Sequence, residues 1–77
     1  MSKSVRELDT TGLKCPIPVL KARKAMRDLT PDTLLRVLAT DPSASQDFAD
    51  FCEVAGHQLL ESTETAGIFT FLIAKAE

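Results

Sequence analysis

The sequence predicts an α+β domain: a two-layer β-α-β-α-β-β sandwich in which both helices lie on one face of a mixed four-stranded sheet. Three observations lead there. Two segments carry apolar residues at helical spacing, one from Pro16 to about Leu29 and one ending near Ala55. Four further segments alternate or run apolar as strands do, and the connections are short enough that sequential elements must be neighbours with right-handed crossovers. At 77 residues the chain makes a single domain, residues 1–77, with one small core.

The first strand is VREL, Val5 to Leu8, ended by the turn-prone Asp9-Thr10-Thr11-Gly12. In the first helix Val19, Ala22, Ala25, Met26 and Leu29 fall within one arc at 100° per residue, the stripe that faces a sheet. Pro31 disfavours helical geometry at Thr30 and starts a turn into TLLRVLAT, Thr33 to Thr40, apolar enough to be a central strand. DPSASQ then carries helix-start signals: Asp41 before a proline suited to a first turn, and Ser43 with Gln46 three residues on as a capping box. Ala44, Phe48, Phe51, Cys52 and Ala55 share the buried face of this second helix, and Gly56 closes it in a left-handed cap. HQLLEST and GIFTFLIAKA form a terminal hairpin through Thr65 to Gly67.

Hydrophobic residues make up 44% and charged residues 26%, which excludes disordered and collagen-like chains. No apolar run approaches the roughly 20 residues of a membrane span, and MSKSVRELD has no apolar centre of a signal peptide. The expectation is a cytoplasmic protein without membrane association. Cys15 and Cys52 are then thiols rather than a structural disulfide, and two cysteines are too few for a zinc site, so neither metal nor cofactor is expected. A net charge of −2 and the lack of Tyr and Trp argue against direct nucleic-acid binding. Charge is nevertheless uneven, with Lys14, Lys21, Arg23, Lys24 and Arg27 in one segment and Asp41, Asp47, Asp50 and Glu53 in another.

The chemistry concentrates in GLKCPIPVLKARKAM, Gly12 to Met26. Cys15 falls at the N-cap of the first helix or just before it, where free backbone N–H groups and the helix dipole favour a thiolate and predict a pKa below the usual value of about 8.5. Pro16 and Pro18 have no N–H, so Ile17 is the one donor among the first three helical residues and the stabilisation is partial. That suits a sulfur that must accept a group and give it up, since the best exchanging thiol titrates near ambient pH. Gly12 and the two prolines fix the corner on which the sulfur sits; the plain alternative is a small capping residue before a proline start.

His57 opens the third strand and reads as a surface or strand-edge residue, with a Cys-His nucleophilic pair as the alternative. Cys52 lies in an apolar stripe and reads as an inert core thiol. Opposite the core stripe of the first helix, Ile17 and Leu20 stand among Arg23, Lys24 and Arg27, as in a docking patch for an acidic partner; a solvated charged face is the equally plain alternative.

LDTTGLKCPIPVLKARKAM resembles the hallmark of the TusA/SirA-like sulfur carrier proteins, Leu-Asp-x-x-Gly-x-x-Cys-Pro-x-Pro-(Val/Leu) before a first helix, and TDPSASQDFADFCEVAGHQLL resembles the family's Asp-Pro, Phe-Cys and Gly-His-x-Leu segments. The resemblance implies the same two-layer fold. It implies that Cys15 carries a persulfide taken from a cysteine desulfurase or a rhodanese-like donor and passed to an acceptor protein, as in tRNA 2-thiouridine synthesis or other sulfur trafficking. The chain is then a sulfurtransferase-type carrier rather than a stand-alone enzyme. Asp41 matches an acidic position implicated in onward transfer, whereas Ile17 stands where the thiolation carriers often have Glu. Two other functions compete: a non-catalytic interaction module that retains the fold, and a thiol redox protein cycling a Cys15–Cys52 disulfide.

Overall fold

The computed structural model describes residues 4–76, which form β1 (Ser4–Thr10), α1 (Ile17–Asp28), β2 (Thr33–Ala39), α2 (Ala44–Ala55), β3 (Gln58–Thr65) and β4 (Ile68–Ala74). The strand order across the sheet is β1-β2-β4-β3, with β1 and β2 parallel and the other two pairings antiparallel. The α+β sandwich read from the sequence is the fold observed, and TLLRVLA is a central strand as its apolar run implies.

Leu35, Val37 and Ala39 of β2 and Phe71 and Ile73 of β4 are fully buried under the helices, which contribute Ala22, Met26, Phe48 and Cys52. Phe48 stacks on Phe71 with centroids 4.7 Å apart and meets Phe51 edge-on at 6.4 Å, so α2 is fastened to the sheet by aromatic contacts. Pro18 is buried in α1, where its ring also stiffens the first turn.

Two local expectations are corrected. Ala55 is exposed, because α2 ends there and Gly56 (φ 77°) turns the chain away. The Ser43–Gln46 capping box does not form: Ser43 is itself helical, its hydroxyl is drawn to neighbouring carboxylates, and Gln46 donates to Asp50 instead. The backbone of this turn is satisfied from the other side, by Asp41, whose Oδ1 accepts the Ser43 N–H at 2.9 Å and whose carbonyl accepts the Ala44 N–H. The terminal hairpin turns through Ala66 and Gly67, both at positive φ as a two-residue turn requires.

Topology decides where the site lies. β3 runs parallel to β2, so α1 and α2 are both crossovers that return antiparallel to the strands before them. Their N-termini therefore sit side by side, above the ends of β1 and β2, which are paired through Thr10 and Ala39.

Candidate functional site

Three hydrogen bonds join the end of β1 and the loop after it to the end of β2 and the residues just beyond. The buried Thr10 donates through Oγ1 to the Leu38 carbonyl, the Gly12 N–H donates to Thr40 Oγ1 at 2.8 Å, and the Cys15 N–H donates to Asp41 Oδ2 at 2.5 Å. Gly12 sits at φ 82°, a left-handed turn that a side chain would strain. The corner is thus held by contacts from the neighbouring strand as well as by its own prolines. Asp41 is the central acceptor: with the Cys15 N–H on one oxygen and the Ser43 N–H and hydroxyl near the other, its carboxyl is held below the usual carboxylate range, Ser43 N–H contributing most and Lys14 adding charge.

Cys15 is exposed, and Cys52 is buried on the inner face of α2. The cap of α1 is Pro16, so Cys15 lies just before the first turn, and the Ile17 N–H that could have pointed to the sulfur bonds the Lys14 carbonyl at 2.9 Å. The expected depression of the thiol pKa is therefore overturned. The Asp47 carboxylate, which favours the protonated thiol, pushes it above its ordinary value; lost hydration and the charges of Asp47 and Asp41 act the same way, while the Ser43 hydroxyl opposes them.

From Cys15 and Pro16 an open groove of about 770 Å³ runs between the helices. Val19, Arg23, Met26 and Arg27 form the α1 wall, Asp47, Asp50, Phe51 and Val54 the α2 wall, and His57 and Lys75 lie at the far end. The floor is apolar, with a cationic flank on one side and an anionic flank on the other. Val54 is 87% exposed, an aliphatic side chain presented to a groove rather than to the core.

His57 is half-buried, not a plain surface residue. Its Nδ1 accepts the Ala76 N–H at 2.9 Å, its ring lies 5.5 Å from that of Phe51, and burial followed by the Lys75 charge lowers its pKa. Lys75 also donates to the Leu29 carbonyl, just past the end of α1. His57 and Cys15 thus mark opposite ends of the groove, which leaves no Cys-His pair.

The patch predicted on α1 divides. Arg23 and Arg27 line the groove, whereas Ile17 and Leu20, 43% and 51% exposed, share an outer face with Lys24. Among the described residues no helix is long and apolar enough to cross a membrane.

The TusA sulfurtransferase family model matches residues 6–75, which include both strand-end loops, Cys15 and the whole groove. The chain belongs to this family. It is 48% identical over 68 residues to the sulfur carrier protein TusA of Pseudomonas paraeruginosa, spanning 88% of this chain and 86% of that one. The corresponding protein of Allochromatium vinosum is 44% identical over 71 residues, 92% of this chain and 93% of its own, and a putative sulfur carrier protein of Neisseria meningitidis is 48% identical over 66 residues, 86% and 89%. Among solved structures, a SirA-like protein of Desulfitobacterium hafniense superposes with a TM-score of 0.81 at 29% identity, covering 95% of this chain and 99% of that one. These relatives support a sulfur carrier role, in which a chain of this family works with proteins that supply and receive sulfur.

What sequence reasoning missed is the part supplied by α2. Asp47, Asp50 and Val54 carried signals, two acids and an aliphatic lying off the buried stripe, but only the parallel placement of the helices turns them toward α1. Ser43 is the N-cap position of α2, but its hydroxyl caps no backbone N–H and lies between Asp41 and Asp47.

Proposed function

We propose that Cys15 is the sulfur-bearing residue of this carrier and that it relays sulfur as a persulfide from a donor protein, a cysteine desulfurase or a rhodanese-like protein, to an acceptor thiol downstream, as in 2-thiouridine synthesis or related sulfur trafficking. The observation that carries the reading is an exposed thiol on a cross-braced corner, opening onto a groove broad enough for a partner segment. In loading, the Cys15 thiolate attacks the outer sulfur of a donor persulfide, R–S–SH. A sulfur–sulfur bond forms to Cys15, the R–S to sulfur bond breaks, and R–S⁻ leaves; the proton lost by Cys15 balances the one R–S⁻ regains, so that Cys15–SH and R–SSH give Cys15–SSH and R–SH. Unloading repeats the step with the acceptor as attacker, and no net oxidant is consumed.

Each predicted residue has a part in this reading. Asp41 fixes the Cys15 backbone and, with it, the direction in which the sulfur is offered for onward transfer; Gly12, Pro16 and Pro18 shape the corner. Arg23 and Arg27 engage an acidic flank of the partner in the groove, and Ile17, Leu20 and Lys24 widen the contact on the outer face of α1. Incubation with a desulfurase and cysteine is expected to add the mass of one sulfur atom to Cys15 and none to Cys15→Ser. Equal uptake by Cys15→Ser, or no uptake by the wild type, refutes the reading.

A further inference from the structure

Both walls of the groove repeat at helical spacing. On α1, Val19, Arg23, Met26 and Arg27 stand at i, i+4, i+7 and i+8; on α2, Asp47, Asp50, Phe51 and Val54 stand at i, i+3, i+4 and i+7. Each set is a single face of the kind one helix offers to another, and the two faces converge on the same open space. Met26 and Phe51 are buried and form its floor, whereas Val54 is 87% exposed three residues beyond Phe51, so the apolar stripe of α2 continues past the sheet into the groove. The charges are sorted by wall. Arg23 and Arg27 stand about 6 Å apart along α1, and Asp47 and Asp50 about 4.5 Å apart along α2.

Resting on the reading of Cys15 as the sulfur carrier, we infer that the groove seats an amphipathic α-helix of the sulfur-exchange partner. Its apolar stripe lies on Met26, Phe51 and Val54, acidic side chains on one flank face Arg23 and Arg27, and basic side chains on the other face Asp47 and Asp50. A helix carries its own backbone hydrogen bonds into the groove. An extended segment would instead lay unpaired N–H and C=O groups between walls whose backbone is already used within α1 and α2. A helix laid along two parallel helices also repeats at their three- and four-residue spacing, so one charge pattern meets both walls in register. Each wall belongs to a 12-residue helix, about 18 Å long, which sets the occupant at about three turns. A second copy of this chain does not supply the pattern: beside Ile17 and Leu20 the outer face of α1 carries Lys21 and Lys24, and the outer face of α2 carries Glu53 and no base.

Cys15 and Pro16 lie at one end of the groove, so a helix seated there ends at the thiol. A partner cysteine at or just beyond that end meets the Cys15 sulfur, and the two charged walls select which proteins exchange sulfur without taking part in the exchange.

The probe is a synthetic peptide of about 14 residues with Leu at i, i+3, i+4 and i+7, Glu on one flank and Lys on the other. It is titrated into the full chain and followed by fluorescence anisotropy and by backbone-amide NMR. The wild type is expected to bind it with a Kd below about 100 μM, with shifts confined to the groove faces of α1 and α2. Arg23→Glu combined with Arg27→Glu should weaken binding at least about tenfold, and that double variant should in turn prefer a peptide with Lys on both flanks. Val54→Asp should weaken binding of the first peptide about 3–10-fold. Circular dichroism confirms that each variant is folded. No binding by the wild type, no recovery of affinity with the Lys-flanked peptide, or shifts on the sheet face away from the helices overturns the inference. Equal binding of a peptide with a central proline would assign the groove to an extended segment, and concentration-dependent shifts of the groove amides without peptide would assign it to a second copy; either result overturns it. Sulfur uptake from a desulfurase is measured separately. Uptake without peptide binding removes the docked helix alone, whereas peptide binding without uptake refutes the carrier reading and with it a sulfur-exchange partner as the occupant.

Discussion

Phe48 is the residue through which the core controls the site, and its replacement gives the sharpest test of that link. It is fully buried on α2, stacked on Phe71 at 4.7 Å and edge-on to Phe51 at 6.4 Å, one position after Asp47 and seven after Asp41. Phe48→Leu keeps a comparable hydrophobe, so its cost is the lost ring pairing, about 0.5–1.5 kcal/mol, plus the small void left behind, for a sum of about 1–2 kcal/mol. At about 4–8 °C per kcal/mol for a domain of this size, the melting temperature should fall by about 4–16 °C. Phe48→Ala should cost about 3–5 kcal/mol, which consumes much of the roughly 4–12 kcal/mol expected for the whole fold at 0.05–0.15 kcal/mol per residue. Urea denaturation followed by circular dichroism reads both values, and backbone amide exchange at Cys15 and Ser43 reports the site. The Leu variant should stay folded and exchange faster at both amides. A Phe48→Ala protein within 1 kcal/mol of wild type would refute this packing account.

Three further outcomes follow from single contacts. Native-state alkylation should label Cys15 and leave Cys52 untouched until urea is added, and Cys52→Ala should still accept sulfur; labelling of both thiols in the folded protein would contradict the burial of Cys52. Gly56→Ala should cost about 1 kcal/mol in urea titration, and because nothing lies within 4 Å of the added methyl group, that cost comes from the left-handed backbone alone. For His57 the folded pKa is depressed, first by burial and then by Lys75, so the unfolded chain binds more protons as pH falls through about 6.5. Stability should be full above that pH and decline below it, because protonation at Nδ1 displaces the Ala76 N–H; comparison of urea midpoints at pH 7.5 and 5.0 should give a smaller drop in His57→Ala, and an equal drop would exclude the residue as the source.

The elements, their order and the location of the thiol are legible in the amino-acid sequence, because these follow from local rules. Helical spacing marks Ala22 and Met26, or Phe48 and Cys52, as one face; Pro31 and Gly56 end helices; and a positive-φ turn closes the last hairpin. It also placed Cys15 at a helix start and Asp41 at another. What it lacked was the relation between those two starts, and so the electrostatics of the sulfur. Local reasoning attends to the N–H groups of the helix that follows Cys15 and predicts an easily ionised thiol. The fold brings α2 alongside, parallel to α1, so that Asp41 takes the Cys15 N–H, the Ile17 N–H turns to Lys14, and the acids at the start of α2 raise the affinity of the thiol for its proton. Charges 26 and 32 residues away in sequence thereby prevail over the neighbouring residues, because electrostatic effects depend on distance in space, and that distance is set by which strands pair.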